Sequence, residues 1–459
     1  MSQPATEPSG TADPGHSSSI DPSRLIIETV QDDLFVERKL DAKLHATIVL
    51  GDTFGNKYSI MKLLGRGAFS AVYLTRHVKT DQYSATKISK SGAQFKRAFE
   101  EEYLIMTDIQ QAGGHGNIIE LFDTFQFALD GNDYFCIVSE ALGPNFESIL
   151  RFSNQKFIPM ENIRKIARQL LDALSFLHDD VGIIHADLKP ENIMISIGKE
   201  DIEALTKTDA RSFAVNLCDP DSNFKVKLGD FGVSMKPECC SSFKYVQTCH
   251  YRAPEAFLCR KFGFKIDIWS FGCVLYKLLT RFTLFPCGDD MDDRMTHLQI
   301  MTEVLGRISN KPFRKTLKPH CASYFGLDGF FKAKMTAKPS PTLNERVLSK
   351  SPEPDVTEFV DFLKCCLRFS PKKRLSAQEA LRHSFITMEP FYPMAKETNN
   401  DDDENDEDET DSEEETSCDE STSGSSTNGT STTSTSSSVS LLESSTDSSL
   451  LEFHNISLS

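Results

Sequence analysis

Between Tyr58 and about Phe385 apolar and polar positions alternate without a long interruption, and the period of the alternation changes partway along. From Tyr58 to Leu142 the apolar residues come in short runs rich in β-branched and aromatic side chains, the pattern of half-buried strands. One stretch there, 94–109, has helical spacing instead. Beyond 142, helical spacing predicts helices over 162–177, 267–279, 355–367 and 376–383. The pattern predicts an α+β chain, a small β-rich lobe followed by a larger helical one, with a ligand site at their junction. The longest apolar run, 268–279, contains Lys277 and falls short of the roughly 20 residues a membrane span needs. It reads as a buried helix, and no membrane association is expected.

Outside that range the pattern stops. Residues 1–23 are rich in Pro, Ser, Gly and Thr and are expected to be disordered, because they cannot bury enough apolar area to offset the entropy of ordering. Residues 24–57 read as an extension carrying a strand, 58–142 as the small lobe and hinge, and 143–386 as the larger lobe. Residues 387–459 read as a disordered tail, with 14 acidic residues and no Lys or Arg between Asp401 and Glu420, then 21 Ser or Thr among 421–449. Without those 14 acids the net charge of -17 would be -3. The folded part is nearly balanced, which argues against direct nucleic-acid binding, since that needs a basic face.

The 12 cysteines are scattered, with vicinal pairs at Cys239-Cys240 and Cys365-Cys366. No CxxC pair or Cys/His cluster has zinc-ligand spacing, so no structural metal is expected. The opening MSQPATEPSG lacks the apolar core of a signal peptide. The expectation is a soluble, non-secreted protein in a reducing compartment, acting as a monomer.

Candidate chemistry begins at Gly65-Arg-Gly67-Ala-Phe-Ser70-Ala-Val72, where glycines let backbone N–H groups approach phosphates, although a hairpin turn accounts for G-x-G equally well. Fifteen residues beyond Val72 comes Ser84-Ala85-Thr86-Lys87, a Lys on an apparent strand, with Glu102 on the following helix placed to pair with it. The stronger signal is His185-Ala-Asp187-Leu-Lys189-Pro-Glu-Asn192, which matches H-x-D-x-K-x-x-N. In that pattern Asp187 orients or deprotonates a hydroxyl, Lys189 neutralises a transferring phosphate and Asn192 holds a metal. Asp230-Phe-Gly232 adds a carboxylate for Mg²⁺, and Ala253-Pro-Glu255 closes the segment that follows.

In this order and at these spacings the elements resemble the eukaryotic protein kinase signature over about 51–385. The resemblance implies the bilobal kinase fold, ATP and Mg²⁺ as cofactors, and proteins as substrates. It puts Leu64, Gly65, Gly67, Val72 and Ala85 around the nucleotide, Lys87 and Glu102 at its α/β-phosphates, and Asn192 and Asp230 on the metal. Cys136-Ile-Val-Ser139-Glu140-Ala-Leu142 resembles the linker between lobes, with Glu140 and Leu142 offering backbone groups to adenine. Ser139 then stands at the gatekeeper position, and so small a side chain leaves a back pocket open. Tyr245, Thr248, Arg252 and Glu255 belong to the activation segment, Asp267-Ile-Trp269 to the helix that braces the catalytic loop, and Arg374 resembles the partner of Glu255.

Finer details resemble the CDC-like, or LAMMER, kinases of the CMGC group. They are His45-Ala-Thr-Ile-Val-Leu-Gly51-Asp52 as a pre-domain strand, a long insertion between Asn192 and Asp230, and His297-Leu-Gln-Ile-Met-Thr-Glu-Val-Leu-Gly306. That branch implies Ser/Thr phosphorylation with tyrosine autophosphorylation, Arg/Ser-rich splicing factors as substrates and a nuclear setting, with the cytoplasm as the alternative. SR-protein kinases and dual-specificity tyrosine-regulated kinases share parts of the pattern, so a Pro-directed kinase of dual-specificity tyrosine-regulated or homeodomain-interacting type stays open, as does a pseudokinase scaffold. Some positions depart from the pattern. The N-terminus has no Arg/Ser repeats, and Ser70 replaces the third glycine of the loop. Cys249 stands where related kinases carry Arg. Ala186 replaces the Arg of H-R-D, so activity is expected not to depend on a phosphate in the activation segment.

Overall fold

A computed structural model describes residues 24–27, 48–67, 69–155, 157–207, 211–242, 246–287, 294–333, 340–350 and 355–389. The expectations for residues 1–23, for Tyr245 and for the acidic tail lie outside the described residues.

The β-branched runs of the first lobe form a six-stranded antiparallel sheet in the order β2–β3–β4–β5–β7–β6. Its strands are β2 (Thr53–Phe54), β3 (Tyr58–Arg66), β4 (Ser70–His77), β5 (Tyr83–Ser89), β6 (Leu121–Leu129) and β7 (Asn132–Glu140). In this register Val72 lies opposite Lys87 and Ala85 opposite Ser139. With side chains alternating along each strand, all four face the same side. Helix α1 (Ala93–Gln111) buries Phe95, Phe99, Glu102, Met106 and Ile109, a stripe at spacings of four and three. Glu102 is the charged member of that stripe, which marks it as a residue kept for a partner.

The larger lobe is built around α3 (Met160–Ser175), whose last turn widens into a π-helical segment, Phe176–Val181, and ends at Gly182 with φ +75°. α6 (Lys265–Thr280) is buried almost throughout, and Lys277 is accommodated by the Glu147 carboxylate 2.6 Å away. Around them lie α2 (Phe146–Phe152), α5 (Pro254–Leu258), α7 (Arg294–Leu305), α8 (Leu343–Leu348), α9 (Val356–Cys366), α10 (Ala377–Leu381) and α11 (Ser384–Thr387). A short antiparallel pair, β8 (Ile193–Ile195) with β10 (Val226–Leu228), follows the Asp187 loop and precedes Asp230.

The insertion between those strands holds α4 (Lys199–Lys207) and β9 (Arg211–Phe213), and β9 pairs with β1 (Leu25–Ile27) from the N-terminal extension. Arg24 fixes this addition by donating to Asp201 (2.8 Å) and Ser212 (2.8 Å). The strand expected to end at Gly51-Asp52 is absent from its described part. Residues 49–52 form a turn in which Gly51 has φ +93° and the Asp52 carboxylate accepts from Val49 N–H.

Arg374 is fully buried and donates to both carboxylate oxygens of Glu255, at 2.6 and 3.0 Å, beneath the Trp269 ring. Replacing Arg374 by Ala strands that carboxylate, and urea denaturation should show a loss of about 3–5 kcal/mol.

Burial holds the imidazoles of His115, His250, His297 and His383 below their usual pKa of 6.5, His297 down to about 3. The unfolded chain therefore binds these protons at a higher pH than the folded one. The stability tied to keeping these imidazoles neutral is complete above pH 6.5 and is lost as the pH drops from there toward 3. Thermal melts across that window should show a shallower fall for His297→Gln than for the wild type.

Candidate active site

Lys87 projects from β5 and donates to both oxygens of Glu102 (2.9 Å each), and it also reaches Asp230 Oδ1 at 3.2 Å. Burial alone would lower the pKa of this ammonium, but the Asp230 and Glu102 carboxylates outweigh it and raise it. Burial would likewise raise the Asp230 carboxyl, yet Lys87 and Lys189 hold it below its usual range. The three groups form one charge cluster joining the two lobes.

In the loop before β8, Asp187 Oδ1 accepts from the backbone N–H (3.0 Å) and hydroxyl (2.8 Å) of Thr248. Its Oδ2 lies 2.8 Å from Lys189 Nζ, which also donates to Thr248 Oγ1 at 3.2 Å. Asn192 Nδ2 donates to the Asp187 carbonyl at 3.0 Å, while the buried Asn192 Oδ1 has no partner among the described residues. An orphaned oxygen on a residue that also touches the Asp187 carboxyl suits a hard divalent cation, which takes oxygen ligands.

Gly67, Ser70, Val72, Ala85, Lys87, Glu102, Ser139, Glu140, Leu142 and Asp230 line a single cavity. Gly67 N–H donates to the Ser70 carbonyl (2.7 Å), so the loop keeps its turn with serine in place of the third glycine. Behind Ser139 the cavity runs on between Phe99, Met106, Ile119 and Ile137. Gly65 lies opposite Val72 in the strand pair, and Leu64 lines a separate small cavity beside Phe213. Arg252 donates to the carbonyls of Val246 (2.8 Å) and Gln247 (2.8 and 3.1 Å), so these carbonyls occupy the guanidinium.

Three further groups carry structural weight here. Gln247 donates to Ile266 O (2.9 Å) and Ser270 Oγ (2.7 Å) and accepts from Ala253 N–H (3.0 Å), fastening the activation segment to α6. Lys227 pairs with the Glu140 carboxylate and so ties the hinge to β10. Asp267 accepts from the backbone N–H groups of His185 and Ala186. Only Asp267 had a sequence signal, its place before Trp269.

Set against known proteins, the chain is 28% identical over 354 residues to the dual specificity protein kinase lkh1 of Schizosaccharomyces pombe, covering 75% of this chain and 49% of that one. It is 28% identical over 380 residues to the serine/threonine-protein kinase SRPK of Physarum polycephalum, covering 75% and 89%. With the dual specificity tyrosine-phosphorylation-regulated kinase 3 of Rattus norvegicus it shares 29% over 364 residues, covering 75% and 56%. The chain thus spans about half the length of the first and third of these relatives. The family model for the protein kinase domain matches residues 58–386, and the chain belongs to the protein kinase family.

Proposed function

We propose that this site transfers the γ-phosphoryl group of Mg·ATP to serine and threonine hydroxyls of proteins, with Arg/Ser-rich sequences as its substrate class, and to its own tyrosine. The carrying observation is the convergence on Asp187 of Lys189 and Thr248, together with the cluster of Lys87, Glu102 and Asp230, whose Asp230 carboxyl Lys189 helps hold below its usual range. Asp187 orients the incoming hydroxyl and takes its proton as the bond from oxygen to the γ-phosphorus forms. The bond from that phosphorus to the β–γ bridging oxygen breaks and ADP leaves. Lys189 offsets charge on the moving group, and Lys87, held by Glu102, binds the α/β-phosphates. Glu140 and Leu142 present backbone groups to adenine. Asn192 and Asp230 would hold Mg²⁺, which when bound neutralises phosphate charge. Positioning and electrostatics supply most of the acceleration in such transfers.

The preference for arginine rests on Glu191, next to this loop. Burial, with Glu147 nearby, raises the Glu191 carboxyl above its usual range, and its Oε2 has no partner among the described residues. A substrate guanidinium would satisfy that oxygen with a charge-assisted hydrogen bond. A role on Arg/Ser-rich splicing factors implies a nuclear setting. The Pro-directed alternative draws on the tyrosine-regulated relative, and the scaffold alternative requires losses at Lys87, Asp187 or Asp230 that this chain does not have.

Labelled Mg·ATP should phosphorylate an Arg/Ser-repeat peptide in preference to a Pro-directed one, with Asp187→Asn abolishing both. Glu191→Gln should lower kcat/KM for the Arg/Ser peptide alone. Transfer only to the Pro-directed peptide would move the branch, and no transfer at all would leave a scaffold.

The space behind Ser139 makes a second test. Adenine-site inhibitors bearing a bulky aromatic group should bind the unmodified protein, and Ser139→Phe should weaken them by about 1.5–3 kcal/mol, the worth of burying one such group. The KM for ATP should stay nearly constant.

A further inference from the structure

Cys249 and Cys287 are 38 residues apart on different elements and are joined by a disulfide, with Cα atoms 6.5 Å apart. Cys249 opens a single 3₁₀ turn, Cys249–Tyr251, in the activation segment, and Cys287 follows α6 on the way to α7. A third group completes the cluster. His297 on α7 places Nδ1 3.6 Å from Cys249 Sγ and 3.5 Å from Cys287 Sγ. Burial, with Arg252 and His250 nearby, keeps this imidazole neutral at neutral pH, so Nδ1 can accept a hydrogen bond from a thiol once the bridge is open.

Two facts distinguish this pair from a general oxidation of the chain. Eight other cysteines are unbridged, including the vicinal Cys365 and Cys366 and the exposed Cys218 and Cys239. Cys249 is buried whereas Cys287 is half-buried, so one sulfur is open to attack and the other is shielded. The location also matters. Cys249 directly follows Thr248, whose backbone and hydroxyl both sit on Asp187. A covalent tie at Cys249 therefore fixes the residue beside the catalytic carboxylate to the connection between α6 and α7.

We infer that Cys249 and Cys287 are a reversible thiol–disulfide site, oxidised by small-molecule disulfides, whose bridge holds the activation segment in the arrangement that receives a protein substrate. The chemistry is exchange. The Cys287 thiolate attacks one sulfur of oxidised glutathione, forming a mixed disulfide and releasing one glutathione thiolate. The Cys249 thiolate then attacks Cys287 Sγ, the protein disulfide forms, and a second glutathione leaves. Two protein thiols lose two electrons and two protons, and one glutathione disulfide becomes two thiols. Reduction reverses the same steps. The effect on substrate rests on the phosphotransfer reading above, whereas the bridge and its hold on the segment do not.

The test equilibrates the full chain in glutathione buffers from reducing to oxidising and reads intact mass, peptide maps, hydrogen exchange of 246–253 and kinetics. The expected result is a loss of two hydrogens with a single 249–287 linked peptide, and slower exchange of 246–253 in the bridged form. Reduction should raise the KM for protein substrate about fivefold or more, the range of ordinary coupling between sites, while the KM for ATP holds. Cys287→Ser, checked for folding by its melt, should match the reduced protein in every buffer. The inference is overturned if no 249–287 peptide forms, or if it forms and neither exchange nor KM responds. It is also overturned if the reduced chain holds one zinc ion that blocks both thiols until a chelator removes it, because the cluster is then a metal site. Absence of phosphotransfer in both states, with the exchange difference intact, would strike the kinase reading and leave the switch.

Discussion

Asp267 is completely buried in α6, and its carboxylate accepts three hydrogen bonds from the loop that carries Asp187 and from the end of α3. The donors are His185 N–H (2.8 Å), Ala186 N–H (2.9 Å) and His178 Nε2 (2.9 Å). Ala186 has φ +64°, a left-handed conformation that costs a non-glycine residue roughly 1–2 kcal/mol. The conformation persists because both its backbone groups are taken, the N–H by Asp267 and the carbonyl by Gln247 N–H (2.9 Å). His185 completes the brace, accepting from Asp187 N–H (3.2 Å) and bonding Gly229 O (3.1 Å) just before Asp230. One buried carboxylate thus sets the aim of Asp187 and, through His185, the position of Asp230.

The same loop explains how the activation segment stays in place without a charge clamp. Position 186 carries a methyl group where the family's Arg would grip a phosphate. In its stead a neutral amide, Gln247, spans three partners on α6 and the segment itself, and Arg252 closes onto two neighbouring carbonyls. These bonds are internal to the fold and require no modification to form. They also leave little slack at Cys249, two residues beyond Gln247.

What was legible in the sequence was whatever is encoded locally. The strings around Gly65, Asp187, Asp230 and Glu255 are short and chemically constrained, and the long helices announce themselves by periodicity. Lys87 and Glu102 were legible as a pair because a strand and a helix 15 residues apart bring them together. The missed features are long-range or short-lived in the chain. β1 and β9 are three residues each, too brief for alternation to register, and their pairing joins residues as far apart as Leu25 and Phe213. The Glu140–Lys227 tie and the Cys249–Cys287–His297 cluster join residues whose spacing carries no motif. The helical signal of α7 is short, resting on Leu298, Met301 and Val304 at a spacing of three.

The charges at the cleft bear on what can enter it. Asp187, Glu102 and Asp230 supply three carboxylates against the two ammonium groups of Lys87 and Lys189, with Lys189 2.8 Å from Asp187 and Lys87 2.9 and 3.2 Å from Glu102 and Asp230. The Lys87 contact to Asp230 directly bridges the lobes, so each group is neutralised by the other. A nucleotide's phosphates would claim Lys87 and leave Asp230 facing added negative charge in a poorly hydrated site, which is costly unless a cation arrives with them. The buried, unpartnered Asn192 Oδ1 offers that cation a neutral ligand without adding to the excess charge. Glu102 keeps Lys87 oriented throughout, because its two equal 2.9 Å contacts do not depend on Asp230. The electrostatic balance therefore admits a metal–nucleotide pair more readily than either component alone.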